Sequence, residues 1–146
     1  MTSPDIKTEG RTITETDVVM FSYFTGDWTY LHTDRVAAEK SMFGERVAHG
    51  YLTLSVSLGL MIRCGAVNAD LFKALKSIDF VRFSAPVKIG DTLTVFYSSA
   101  RKESRPGTVQ VTTDARTLNQ REEVVMEFRT VHLERTADGE RKEGLA

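Results

Sequence analysis

Asp27 and His32 stand five residues apart in TGDWTYLHTD, a pairing suited to moving a proton. A carboxylate beside an imidazole supplies an acceptor and a donor that can titrate near neutral pH. That suits adding water across a double bond, where the attacking water loses a proton and the adjacent carbon gains one. On an ideal helix a separation of five turns through about 140°, which would point the two side chains apart. Gly26 removes the conflict by ending the preceding helix, so that Trp28 to Leu31 can bend and bring both groups to one water. Spacing alone also fits a turn-capping aspartate and an ordinary partly buried histidine, and taken alone it favours that plainer reading.

His49-Gly50, at the start of the apolar run VAHGYLTLSVSLGLMIRCG, is the second feature. The first amides of a helix lack intrahelical acceptors and carry the positive end of its dipole, so a thioester carbonyl placed there would have enolate-like charge stabilised. Gly50 puts no side chain in the way; it serves tight helix packing equally well. Ser55 and Ser57 lie within the same run and are expected to bond back to the preceding turn. With only His32, His49 and His132 available, a zinc site has little support, and no GxSxG elbow or phosphate loop occurs. Cys64, the single cysteine, has no sequence neighbour to activate it and is read as a buried thiol.

These residues need elements to place them. Thr14 and Asp17 form a capping-box-like start for a helix from about Glu15 to Thr25, and a second short helix begins near Thr33 or Asp34 and covers RVAAEKS. The apolar run starting near His49 or Gly50 is a buried central helix. From Lys76 onward, SIDFVRFSA, DTLTVFYSSARKE, GTVQVTTDARTL and EEVVMEFRTVHLE alternate with period two and are separated by turn chemistry, which predicts an antiparallel meander. Pro86 should break the ladder locally. The class expected is α+β, with an antiparallel sheet wrapped around one long helix. Residues 1–9 and 135–146 read as polar tails around a single domain.

The chain has 146 residues, enough apolar content at 41% for its own core, and a net charge of −1 from 19 basic and 20 acidic residues. No broad positive field for nucleic acid exists. The first ten residues lack a secretory h-region, the apolar run is too short and too interrupted to cross a bilayer, and one cysteine suits a reducing cytoplasm.

FSYFTGDWTYLHTD, FGERVAHGYLTLS and VRFSAPVKIGDTL, in that order, resemble the MaoC-like hydratase family, which includes (R)-specific enoyl-CoA hydratases and hydroxyacyl thioester dehydratases. The resemblance covers residues 10 to 134. It implies a hotdog fold working as a homodimer, with the catalytic pair on Asp27 and His32 and the carbonyl-binding amide near Gly50. His49 and Tyr30 are counted with the substrate site. The implied activity is reversible hydration of a 2-enoyl thioester carried on coenzyme A or a carrier protein, with no cofactor or metal. A hotdog thioesterase and a non-catalytic acyl-binding subunit are the alternatives. The family pattern G-D-x-N-P-x-H is altered: Thr29 stands in the asparagine place and Tyr30 in the proline place, and a serine used by some members falls on Leu58.

Overall fold

The computed structural model describes residues 5–136. Thr14 caps helix α1 (Glu15–Thr25): its hydroxyl accepts from the Asp17 amide while the Asp17 carboxylate accepts from the Thr14 amide, so two orphan donors are met reciprocally. The helix stops at Gly26, whose φ of 77° lies in the left-handed region and whose N–H closes on the Ser22 carbonyl. Asp27 is therefore released from the helix, as expected. The next stretch is more ordered than the loop foreseen. Tyr30–Thr33 make a single helical turn, α2, and Asp34 then caps α3 (Arg35–Glu39) through the Ala37 amide.

The central helix α4 spans Gly50–Arg63. It buries Leu52, Leu54, Val56, Leu60 and Met61 and leaves a stripe of Tyr51, Ser55, Gly59 and Ile62 outside. That stripe repeats every three or four residues, the period of one helix face. Ser55 and Ser57 do bond back one turn, each at 2.8 Å, to the carbonyls of Tyr51 and Thr53. Ser57 also meets Thr117 Oγ1 at 2.9 Å. No helix among the described residues is long and apolar enough to cross a membrane.

The strands are β1 (Ile6–Lys7), β2 (Arg11–Thr12), β3 (Phe72–Phe83), β4 (Thr92–Arg105), β5 (Thr108–Leu118) and β6 (Val124–Arg135). All pairings are antiparallel, in the order β1-β4-β5-β6-β3, with β2 also on β4. Strands β4 to β6 form the expected meander, joined at Gly107 (φ 74°) and at the Asn119 turn. β3 departs from it. It pairs with β6, not with the next strand β4, because the link between them holds Pro86 and runs past the start of α4, where the Ala48 amide donates to the Val87 carbonyl at 2.8 Å. β3 also begins earlier than the alternation suggests, at Phe72. Ahead of Gly10, where a tail was expected, Ile6–Lys7 pair with Phe96 and Tyr97, and Thr8 is buried with its hydroxyl accepting from the Val95 amide. The stretch 137–146 of the expected C-terminal tail lies outside the described residues.

Leu93, Val95 and Tyr97 of β4, Ala115 of β5, and Val125, Met126 and Phe128 of β6 pack with the inner face of α4, and Ile13 and Val18 join the same core. Cys64, at the end of α4, is partly buried against it. The sheet face thereby fixes α4, and the start of α4 faces the loop that carries Asp27.

Candidate active site

Asp27 follows the Gly26 turn directly, and Thr29 holds it. The Thr29 hydroxyl donates to Asp27 Oδ1 at 2.6 Å and the Thr29 amide donates to the same oxygen at 3.1 Å. The hydroxyl bond first, and the amide bond second, keep the Asp27 carboxyl below its ordinary value; the charges of His32 and His49 add to this and slight burial opposes it. Thr29, standing in the asparagine place of the family pattern, thus holds the Asp27 carboxylate with both its hydroxyl and its amide. The D-x-T pattern of an Asx turn was the signal in the sequence for this.

His32 projects from α2. Its Nδ1 lies 2.8 Å from the Val47 carbonyl oxygen, which can only accept, so Nδ1 carries the hydrogen and the neutral ring has its lone pair on Nε2. His49 stands behind it, with ring centroids 3.8 Å apart and planes 27° from parallel. One side-chain donor atom from each of Asp27, His32 and His49 lies within 4.8 Å of the others. That spacing would also suit a cation. However, the His49 ring is only 1% exposed and its Nε2 is taken up by Ser22, so an ion entering the cluster would have to reach a nitrogen sealed from solvent.

His32 and Gly50 line one cavity of about 470 Å³, walled by Leu31, Met42, Phe43, Phe83 and Val87 among others. A Cβ on Gly50 would come within 2.9 Å of Phe83 Cζ, so glycine is what lets the aromatic ring approach the helix start. The structure therefore clusters Asp27 with His32 and His49, and sets His32 and Gly50 on one cavity that Asp27 itself does not line. His49 belongs to the cluster but is buried beneath His32, and Tyr30, half-exposed at the start of α2, does not line the cavity. Ser22 and the Val47 carbonyl, which hold the two imidazoles, carry no sequence signal, since each meets its partner only through tertiary packing.

An antiparallel sheet packed on a long helix, with a carboxylate and an imidazole converging at that helix's start, defines a hotdog domain of the α+β class. Residues 2–121 match the family described as MaoC like domain, and the chain belongs to that family. Protein MaoC of Klebsiella aerogenes is 41% identical over 95 residues, which are 65% of this chain and 28% of that protein, so the chain spans little more than a quarter of that relative. The 3-hydroxyacyl-thioester dehydratase Z of Mycobacterium tuberculosis is 33% identical over 102 residues, 69% of this chain and 68% of the relative. Among solved structures, that of the MaoC-like dehydratase from Rhodospirillum rubrum aligns with a TM-score of 0.75 at 25% identity, covering 90% of each chain.

Proposed function

We propose that this chain catalyses the reversible hydration of a 2-enoyl thioester, carried on coenzyme A or a carrier protein, to the 3-hydroxyacyl thioester. The observation that carries the reading is the convergence of Asp27 on His32, which lines the cavity together with Gly50. Relatives named 3-hydroxyacyl-thioester dehydratase and (R)-specific enoyl-CoA hydratase agree with it.

In this mechanism Asp27 and His32 hold one water. The water oxygen attacks the β-carbon as the carbon–carbon π electrons move toward the carbonyl; the water's proton passes to the dyad and the α-carbon receives one. The charge that gathers on the thioester oxygen is met by the free amides at the start of α4, Gly50 first, at the positive end of the helix dipole. No metal or cofactor is needed for this route. The lone cysteine fits a reducing cytoplasm. We also infer that two copies pair through β3. Its outer edge has no partner strand among the described residues, and Phe72, Leu75, Ile78, Phe80 and Phe83 along it are 37–57% exposed.

The test is a panel of enoyl and hydroxyacyl thioesters, scored for both water addition and free thiol release, with Asp27→Asn, His32→Ala and the double variant. Each single change should lower turnover by about 10²- to 10⁴-fold. The double should be little worse, because both groups act on one water. Thiol release without hydroxyacyl product would make the protein a thioesterase; thioester binding without turnover would make it an acyl-binding subunit.

A further inference from the structure

His49 is a buried titratable group that the hydration chemistry leaves unused. It stands at the N-cap of α4, yet its side chain makes no capping bond there. Its Nε2 lies 3.1 Å from the hydroxyl of Ser22, a fully buried residue of α1, and 3.4 Å from the Asp27 carbonyl oxygen. Since that carbonyl can only accept, Nε2 carries the hydrogen and Nδ1 is left with a lone pair. Nδ1 is buried with no hydrogen-bond partner. Phe21 covers another side of the ring at 5.0 Å. His49 is thus pinned by α1 and by the Asp27 loop, and the face it turns toward α2 is the one on which His32 lies.

We propose that His49, held by Ser22, is a positioning residue that fixes the plane of the His32 ring and so aims His32 Nε2 at the water shared with Asp27. Two restraints then define the His32 ring. The Val47 carbonyl fixes its rotation about the ring axis through Nδ1, and the His49 face fixes its tilt. A second proton on His49 would have to sit on Nδ1, sealed from both water and acceptors. Burial first, and the closeness of His32 second, accordingly hold the His49 imidazole below its ordinary value. The charged and titratable groups facing the pair are Asp27 from the loop and Arg46 from the segment before α4. Arg46 is itself neutralised by Glu15 of α1 at 2.5 Å and reaches the His32 carbonyl at 3.5 Å. A neutral ring behind His32 therefore adds no positive charge that would oppose protonation of His32 during the reaction.

The proposal rests on the hydratase reading for its catalytic meaning, but the His32 geometry can be tested without turnover. The ¹⁵N-labelled full chain is compared with Ser22→Ala, His49→Phe and His49→Leu by imidazole ¹⁵N–¹H correlation and, on the best thioester of the panel, by steady-state kinetics. In the parent at alkaline pH, His32 should show one tautomer, protonated on Nδ1. Ser22→Ala and His49→Leu should let the ring tilt off the Val47 carbonyl and so show a mixture, with kcat lowered roughly ten- to a hundredfold and KM little changed, as misplacement of a proton-transfer group requires. His49→Phe, whose ring can keep the stack, should retain more of kcat than His49→Leu. A single unchanged His32 tautomer in all three variants would overturn the proposal, as would equal losses in the Phe and Leu variants. If His49→Leu does not fold, Ser22→Ala, which leaves both rings in place, decides alone. A parent that turns over no thioester on the panel defeats the hydration reading only, and the tautomer measurement still decides this one.

Discussion

Thr29→Val isolates the hydrogen bond that orients Asp27, because valine keeps the shape of threonine and removes only the hydroxyl. That hydroxyl lies 2.6 Å from Asp27 Oδ1, while the backbone bond at 3.1 Å survives the change. A hydrogen bond to a charged acceptor contributes about 1.5–3 kcal/mol. Asp27 is partly open to water, so the lower end applies, and about 1.5 kcal/mol corresponds to roughly a tenfold fall in kcat/KM. The direction with pH follows from the same bond. The Thr29 hydroxyl is the largest cause that lowers the Asp27 carboxyl, so its removal should move the acid limb of kcat/KM to higher pH. At neutral pH Asp27 stays ionised in both proteins, and the loss there reports orientation. The assay is kcat/KM across the acid limb for parent and variant on one enoyl thioester. An acid limb that does not move, with kcat/KM within about twofold of the parent, would refute the view that the Thr29 hydroxyl orients Asp27.

Three further outcomes are expected. Below an ordinary histidine value of 6.5 the unfolded chain protonates His49 while the folded chain, with its lowered value, does not, so stability should fall with pH by up to about 1.4 kcal/mol per unit from this group. Denaturant unfolding at about pH 7 and about pH 5.5 should show that slope reduced in His49→Phe, and an unchanged slope would mean His49 does not stay neutral. Ser57→Ala leaves the fully buried Thr117 hydroxyl without its partner and should cost about 1–2 kcal/mol of stability while kcat is preserved; a large loss of kcat would give Ser57 a place in the chemistry. Sedimentation at micromolar concentration should find a dimer that Ile78→Lys, on the open β3 edge, shifts to monomer, and a parent that sediments only as monomer would remove the pairing inference.

What was legible in the sequence was whatever is written locally. Thr14, Asp17 and Gly26 carry both ends of α1 in their own chemistry, and the apolar run from Gly50 is long enough to be a helix on length alone. The partner of β3 was not legible. Its alternation says that it is a strand, but whether β4 or β6 lies beside it is settled by where the Pro86 link passes the start of α4, a contact between distant segments. The two short strands β1 and β2 were hidden for the opposite reason: two residues are too few for any periodicity, and only the edge of β4 makes them strands.

The site divides along the same line. The Gly26 break and a spacing of five allow Asp27 and His32 to be paired, but spacing alone favours the plainer reading and the family pattern carries the pairing; Thr29 stands out only as a departure from that pattern, although D-x-T is the signature of an Asx turn. His49 could not be placed by such means. In the sequence it is a histidine beside a glycine at a helix start, which invites a role in contact with substrate. In the fold, the first residue of α4 reaches the cavity and the residue before it turns inward, toward Ser22 of α1. One step along the chain separates a residue that lines the cavity from a ring held among Ser22, the Asp27 carbonyl and the rings of Phe21 and His32. That difference follows from the angle at which α4 enters the core, which Ala48, Val87 and the β3–β4 link set together. Asp27 and His32 lie on one short stretch, the Gly26 turn and α2; the contacts that aim them are distributed over α1, α2 and α4, and under the proposed function that is where substitutions distant from Asp27 should be felt in kcat.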